Sequence, residues 1–144
     1  MLLQPTIEKL HELRLLGMAK ALEEQLRMPD MTDLSFEDRL GLLLDRESTS
    51  RSSKRLQTRL QKAHLRQQAC LEDIDYQHPR GLDKTLVLTL ASCQWVTEHQ
   101  NILITGPTGC GKSYLACALA HTACREGFTA LYYRCSRLFY DLSI

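Results

Sequence analysis

Apolar residues fall at steps of three and four between positions 6 and 27, with Leu15, Met18, Ala19, Leu22 and Leu26 on one side, and Pro29 follows. That spacing predicts an amphipathic helix halted by the proline. A second helix is predicted from LSFEDRLGLLLDRE, where Ser35 and Asp38 approximate a capping box and Phe36, Leu40, Leu43 and Leu44 form a buried stripe. Helical rhythm continues through SRSSKRLQTRLQKAHLRQQ, and the serines and threonine of 48–53, indifferent helix formers, mark the place for a break.

Periodicity then lapses. In LEDIDYQHPRGLDK the acids, His78-Pro79 and Gly81 place a linker at 71–83, between a helical N-terminal domain at 1–70 and a second domain at 84–144. Asp83 can cap a short helix in KTLVLTLASCQWVTEH, anchored by Leu86, Leu90 and Trp95. NILIT at 101–105 has the length and β-branched content of a buried strand. Residues 112–126 are predicted helical with Gly127 as the stop, TALYYR at 129–134 is predicted as a second strand, and SRLFYDLSI opens another helix. The expected fold class is therefore α/β, preceded by a helical domain.

With 44% hydrophobic and 24% charged residues over 144 positions, the chain has an ordinary globular composition. No apolar run approaches the roughly 20 residues of a bilayer span, and the start carries acids where a signal peptide has a basic head, so a cytoplasmic protein without membrane contact is expected. Six cysteines form no C-x-x-C pair and lack histidines at ligand spacing; Cys117 and Cys124, two helical turns apart, suit small buried thiols better than metal ligation.

The net charge of +1 conceals an asymmetry: nine acids against five bases in 1–45, then seven bases against Glu47 alone in 46–66. On a helical wheel Arg51, Arg55, Arg59, Lys62 and Arg66 fall within about a quarter of the circumference, with Lys54 nearby, a stripe roughly 22 Å long. Such a stripe matches the phosphates of duplex DNA without reading bases; alternatively it is solvated, or pairs with acids such as Glu23, Glu24 or Asp38.

The clearest chemistry lies in GPTGCGKS. Gly106, Gly111, Lys112 and Ser113 occupy the fixed positions of G-x-x-x-x-G-K-[ST], the Walker A phosphate loop, with Pro107, Thr108, Gly109 and Cys110 between them. Glycines let backbone amides approach a phosphate, Lys112 can neutralise the β- and γ-phosphates, and the Ser113 hydroxyl can join a Mg²⁺ shell. Cys110 is either a reactive thiol beside a helix start or a tolerated position whose amide matters. Tyr76 is either a stacking partner for a base or a core residue. After Ser113 the only acids are Glu126 and Asp141, neither ending an apolar strand, so nucleotide binding without a complete hydrolytic centre is expected and no catalytic residue is assigned.

Beyond this loop, LRLLGMAKAL, LSFEDRLGLLLDRE, RLQTRLQKAHLRQQACLEDIDY and RGLDK resemble the IstB-type transposition helper ATPases, relatives of the DnaC helicase loaders in the AAA+ superfamily. The resemblance implies a three-layer α/β/α ATPase core, here only its N-terminal part, and ATP rather than GTP. It also implies self-association, contact with duplex DNA and a transposase, or with a helicase in a loader. The family's acidic strand, sensor residue and intersubunit arginine have no counterpart before Ile144, which suggests a truncated copy or an expressed fragment; the functional alternative is an interaction-only remnant without nucleotide turnover.

Overall fold

The computed structural model describes residues 3–143, which divide into two compact units at the step from Arg55 to Leu56. In the first unit, α1 (Leu3–Glu12) and α2 (Leu16–Arg27) replace the single helix expected over 6–27. They part at Arg14, whose φ of 58° lets Leu15 N–H reach the carbonyl of Leu10 at 2.8 Å and close the end of α1. A 3-10 turn (Pro29–Asp33) leads to α3 (Phe36–Ala63), 28 residues long and unbroken through the serines, so the expected interruption is absent.

Helix α2 meets α3 through Gly17, which lies against the backbone of Arg46 and Glu47, and through Gln25, whose side-chain amide donates to Arg39 O at 3.1 Å; Gly17, Ala19 and Ala21 are buried. The Glu47 carboxylate accepts from the Met18 amide at 3.1 Å and from Arg51 Nε at 2.7 Å, so an acid of α3 caps the start of α2. The Ser35–Asp38 pair forms, with Asp38 N–H bound to Ser35 Oγ at 3.1 Å and that hydroxyl donating to Asp38 Oδ2 at 2.7 Å. Of the predicted stripe on α3 only Leu43 is buried, whereas Phe36, Leu40 and Leu44 are exposed.

In the second unit α3 ends at Ala63 because His64 turns left-handed, at φ 50°. There follow a 3-10 turn (Leu71–Asp73), α4 (Lys84–Ala91), α5 (Gln94–Thr97), α6 (Lys112–Arg125) and α7 (Cys135–Leu142). The core gathers around α6: Cys117, Ala118 and Leu119 pack with Ala69, Leu71 and Val87. Asp83 caps α4 as expected, accepting from Thr85 N–H at 2.9 Å, but the inward anchor is Val87, while Leu86 points outward. Cys93, at φ 58°, separates α4 from α5. Gly127 ends α6 at φ 94°, with Gly127 N–H on Cys124 O and Phe128 N–H on Ala123 O, the paired bonds of a glycine stop.

The α/β expectation is corrected here. Among the described residues there is no strand and no sheet. Residues 101–105 and 129–134 do keep a two-residue alternation: Ile102, Ile104 and Tyr132 pack against the core, while Leu103, Leu131 and Tyr133 are exposed. Alternation is a property of one chain segment, but a strand exists only where a neighbour accepts its hydrogen bonds. These two segments do not pair with each other. An apolar groove of ≈ 390 Å³, lined by Ile102, Ile104, Leu119, Ala123, Phe128 and Ala130, separates them. The second segment is instead tied to the end of α3, where Tyr132 N–H donates to Ala63 O at 2.9 Å.

Candidate functional site

The extended segment 101–105 delivers the chain to the loop, and α6 leaves it. Gly109 and Gly111 adopt φ of 84° and 97°, a region that favours glycine, so two of the loop's glycines are required by its backbone. Gly111 is also the N-terminal cap of α6 and offers no side-chain cap; the first turn holds no acid. Leu115 N–H is satisfied by Gly111 O at 3.0 Å, while the amides of Gly111, Lys112 and Ser113 donate to no backbone group among the described residues. The first turn of a 14-residue helix thus presents donors and the positive end of its dipole with no internal anion.

Lys112 is engaged. Its ammonium donates to the carbonyls of Gly106 and Pro107, each at 2.7 Å, with Cys110 Sγ at 4.0 Å. Two of its three donors therefore close the loop on itself through carbonyls, and the third has only the long, weak contact to Cys110 Sγ. Cys110 N–H bonds Pro107 O at 3.4 Å, a tight turn that places Sγ 2.8 Å from where a Gly106 side chain would begin. A side chain at Gly106 would therefore force the Cys110 thiol to move. The Ser113 hydroxyl has no hydrogen-bond partner among the described residues, so it can take a cation or a phosphate oxygen.

The remaining expected residues are scattered. Arg51 pairs with Glu47, and Arg59 Nε donates to Cys124 O at 2.9 Å, at the C-terminal end of α6. Arg59 thus ties α3 to the end of α6, while Arg51, half exposed, holds the Glu47 carboxylate. Arg55 and Lys62 are exposed on α3, Lys54 is exposed as well, and Arg66 lies past the end of the helix. Tyr76 packs on the core, with the Lys84 ammonium 5.5 Å from its ring centre. Among the described residues no group of three or more His, Cys, Asp or Glu could hold a metal ion, and no helix is long and apolar enough to cross a membrane. Sequence alone gave no sign of Glu47 or of Tyr114. The Tyr114 hydroxyl, from the first turn of α6, bonds the backbone of Cys70 at 3.2 Å and steadies the helix start.

Comparison with known proteins agrees with the loop. Residues 8–144 match the family model for IstB-like ATP binding protein. Over its whole length the chain is 52% identical to a protein described as the ATP-binding protein of insertion sequence IS1162 from Pseudomonas fluorescens, covering 63% of that relative. It is 46% identical to an insertion-sequence ATP-binding protein of Sinorhizobium fredii, covering 59% of it. A Mycobacterium tuberculosis relative, described as an ATP-binding protein in an insertion sequence, is 31% identical over 93% of the chain and 53% of its own length. The chain thus spans a little over half the length of these relatives. With a complete phosphate-loop signature at the head of α6 and a match running from residue 8 to the end of α7, the chain belongs to the IstB-like ATP binding protein family.

Proposed function

We propose that residues 106–113 bind the triphosphate of ATP with Mg²⁺, and that the chain is an ATP-binding accessory of DNA transposition that contacts duplex DNA and a transposase. The observation that carries the first part is the uncapped, acid-free start of α6, where Gly111, Lys112 and Ser113 supply amides that donate to no backbone group among the described residues, beside the Lys112 ammonium, whose third donor has only a weak sulfur contact. On binding, Lys112 exchanges loop carbonyls for phosphate oxygens, which are charged and so stronger acceptors. Ser113 would hold Mg²⁺, and that ion supplies charge neutralisation between phosphates.

Neither acid that follows Ser113 among the described residues lies at the loop. Glu126 is the C-terminal cap of α6, about 20 Å along the helix from Ser113, and Asp141 is paired with Arg137. Support for the second part is the insertion-sequence origin of the relatives and the exposed bases Arg55 and Lys62 on α3. Titration of a fluorescent ATP analogue with Mg²⁺ tests the nucleotide site. Lys112→Ala should raise Kd by about 10-fold or more, the value of a charge-assisted bond. Equal binding by the wild type and this variant would refute it.

A further inference from the structure

We propose that Arg80 is a second cationic contact for the polyphosphate held by the loop, an assignment that rests on nucleotide binding at 106–113. Arg80 belongs to the segment that precedes α4, far in sequence from the phosphate motif. A three-residue turn around Pro79, closed by Arg80 N–H on His78 O at 2.9 Å, and a left-handed Gly81 at φ 70° bend this segment. The bend brings Arg80 Nη1 to 3.4 Å from the point where a Cβ on Gly111 would stand. An arginine fork therefore lies against the residue that begins α6.

The guanidinium is available. Arg80 is exposed, and among the described residues its side chain has no hydrogen bond or ion pair. The acids on either side of it are occupied locally, Asp75 by the Gln77 amide and Asp83 by the Thr85 amide, each at 2.9 Å. Meanwhile Lys112 has two donors committed to carbonyls, so one partly engaged ammonium would face the several negative charges of a triphosphate. A planar guanidinium with five donors suits that deficit, because it can bind two phosphate oxygens at once.

The test is competition by ATP and by inorganic tripolyphosphate against a fluorescent ATP analogue on the 144-residue chain. Arg80→Ala should weaken both competitors by about 10-fold, since the contact is to phosphate. Arg80→Lys should recover part of the loss, and neither variant should shift the unfolding midpoint, as the side chain is exposed and unpaired. Unchanged ATP affinity in Arg80→Ala would overturn the assignment. So would a loss seen with ATP and absent with tripolyphosphate, which would place the guanidinium on the base. If the wild type binds no nucleotide, the loop assignment falls first and Arg80 with it, a result distinct from a wild type that binds and ignores the loss of Arg80.

Discussion

A Cβ placed on Gly17 would stand 2.9 Å from the Cα of Glu47 and 2.9 Å from its Oε2. Backbone lies behind that first distance, so α2 and α3 must separate to admit a methyl group. Gly17→Ala would gain somewhat in helix propensity and lose more to overpacking, for a net destabilisation of about 1–2 kcal/mol. Chemical denaturation measures it, and a stabilised variant would show that the two helices do not pack as described.

The same carboxylate makes the first unit sensitive to acid. Arg51 beside it holds the Glu47 carboxyl below its ordinary value, burial opposes this, and the amides of Met18 and Gly17 add to the lowering. Because the folded state favours the ionised form, stability from this group is fully present above the unfolded-state value and is lost as pH falls through the folded one. Glu47→Gln should flatten that acid limb in a pH series of unfolding midpoints. An unchanged slope would remove Glu47 from the account.

Neighbouring cations on one helix should behave differently on substitution. Arg59→Ala removes a donor from the C-terminal end of α6 and should cost about 1–2 kcal/mol of stability. Replacing Arg55 and Lys62 should leave stability nearly unchanged and, if α3 contacts duplex DNA, reduce the salt dependence of binding by about two phosphate contacts. Fluorescence anisotropy on random duplex at several salt concentrations reads the second effect.

The six thiols should divide by access. Cys135 is exposed and should be alkylated first, while Cys93, Cys117 and Cys124 are buried and should wait for unfolding. Burial also pushes the Cys93 and Cys124 thiols up, away from the reactive thiolate. Cys110, part-exposed within the loop, should be labelled at an intermediate rate that Mg-ATP slows. Mass spectrometry of timed alkylation checks each position, and indifference of Cys110 to ATP would count against the loop as the nucleotide site.

Local signals carried in short stretches were legible in the sequence. Asp83, the Ser35–Asp38 pair and Gly127 all stand where caps and stops were expected, because each acts within a few residues of itself. The breaks at Arg14 and Cys93, and the left-handed His99 just past α5, were not legible. Left-handed turns are announced by glycine or asparagine, and here φ of 56–58° falls on residues that carry side chains, with local closures such as Leu15 N–H on Leu10 O and Gln100 N–H on Trp95 O. The strand assignment failed for a related reason: alternation at 101–105 is real, yet hydrogen-bond partners are supplied from elsewhere in a chain and leave no local mark. In the loop, residue types pointed to the phosphate site, whereas the closure of Lys112 onto two carbonyls and the approach of Arg80 come from the three-dimensional arrangement.

The bond from Tyr132 N–H to Ala63 O has a signature in time as well as in space. Transfer of the protein into deuterated solvent should leave Tyr132 as an isolated slow amide between Leu131 and Tyr133, whose amides donate to no backbone group among the described residues. Its exchange rate would then report how often the last turn of α3 opens, one proton serving as the clock for that junction.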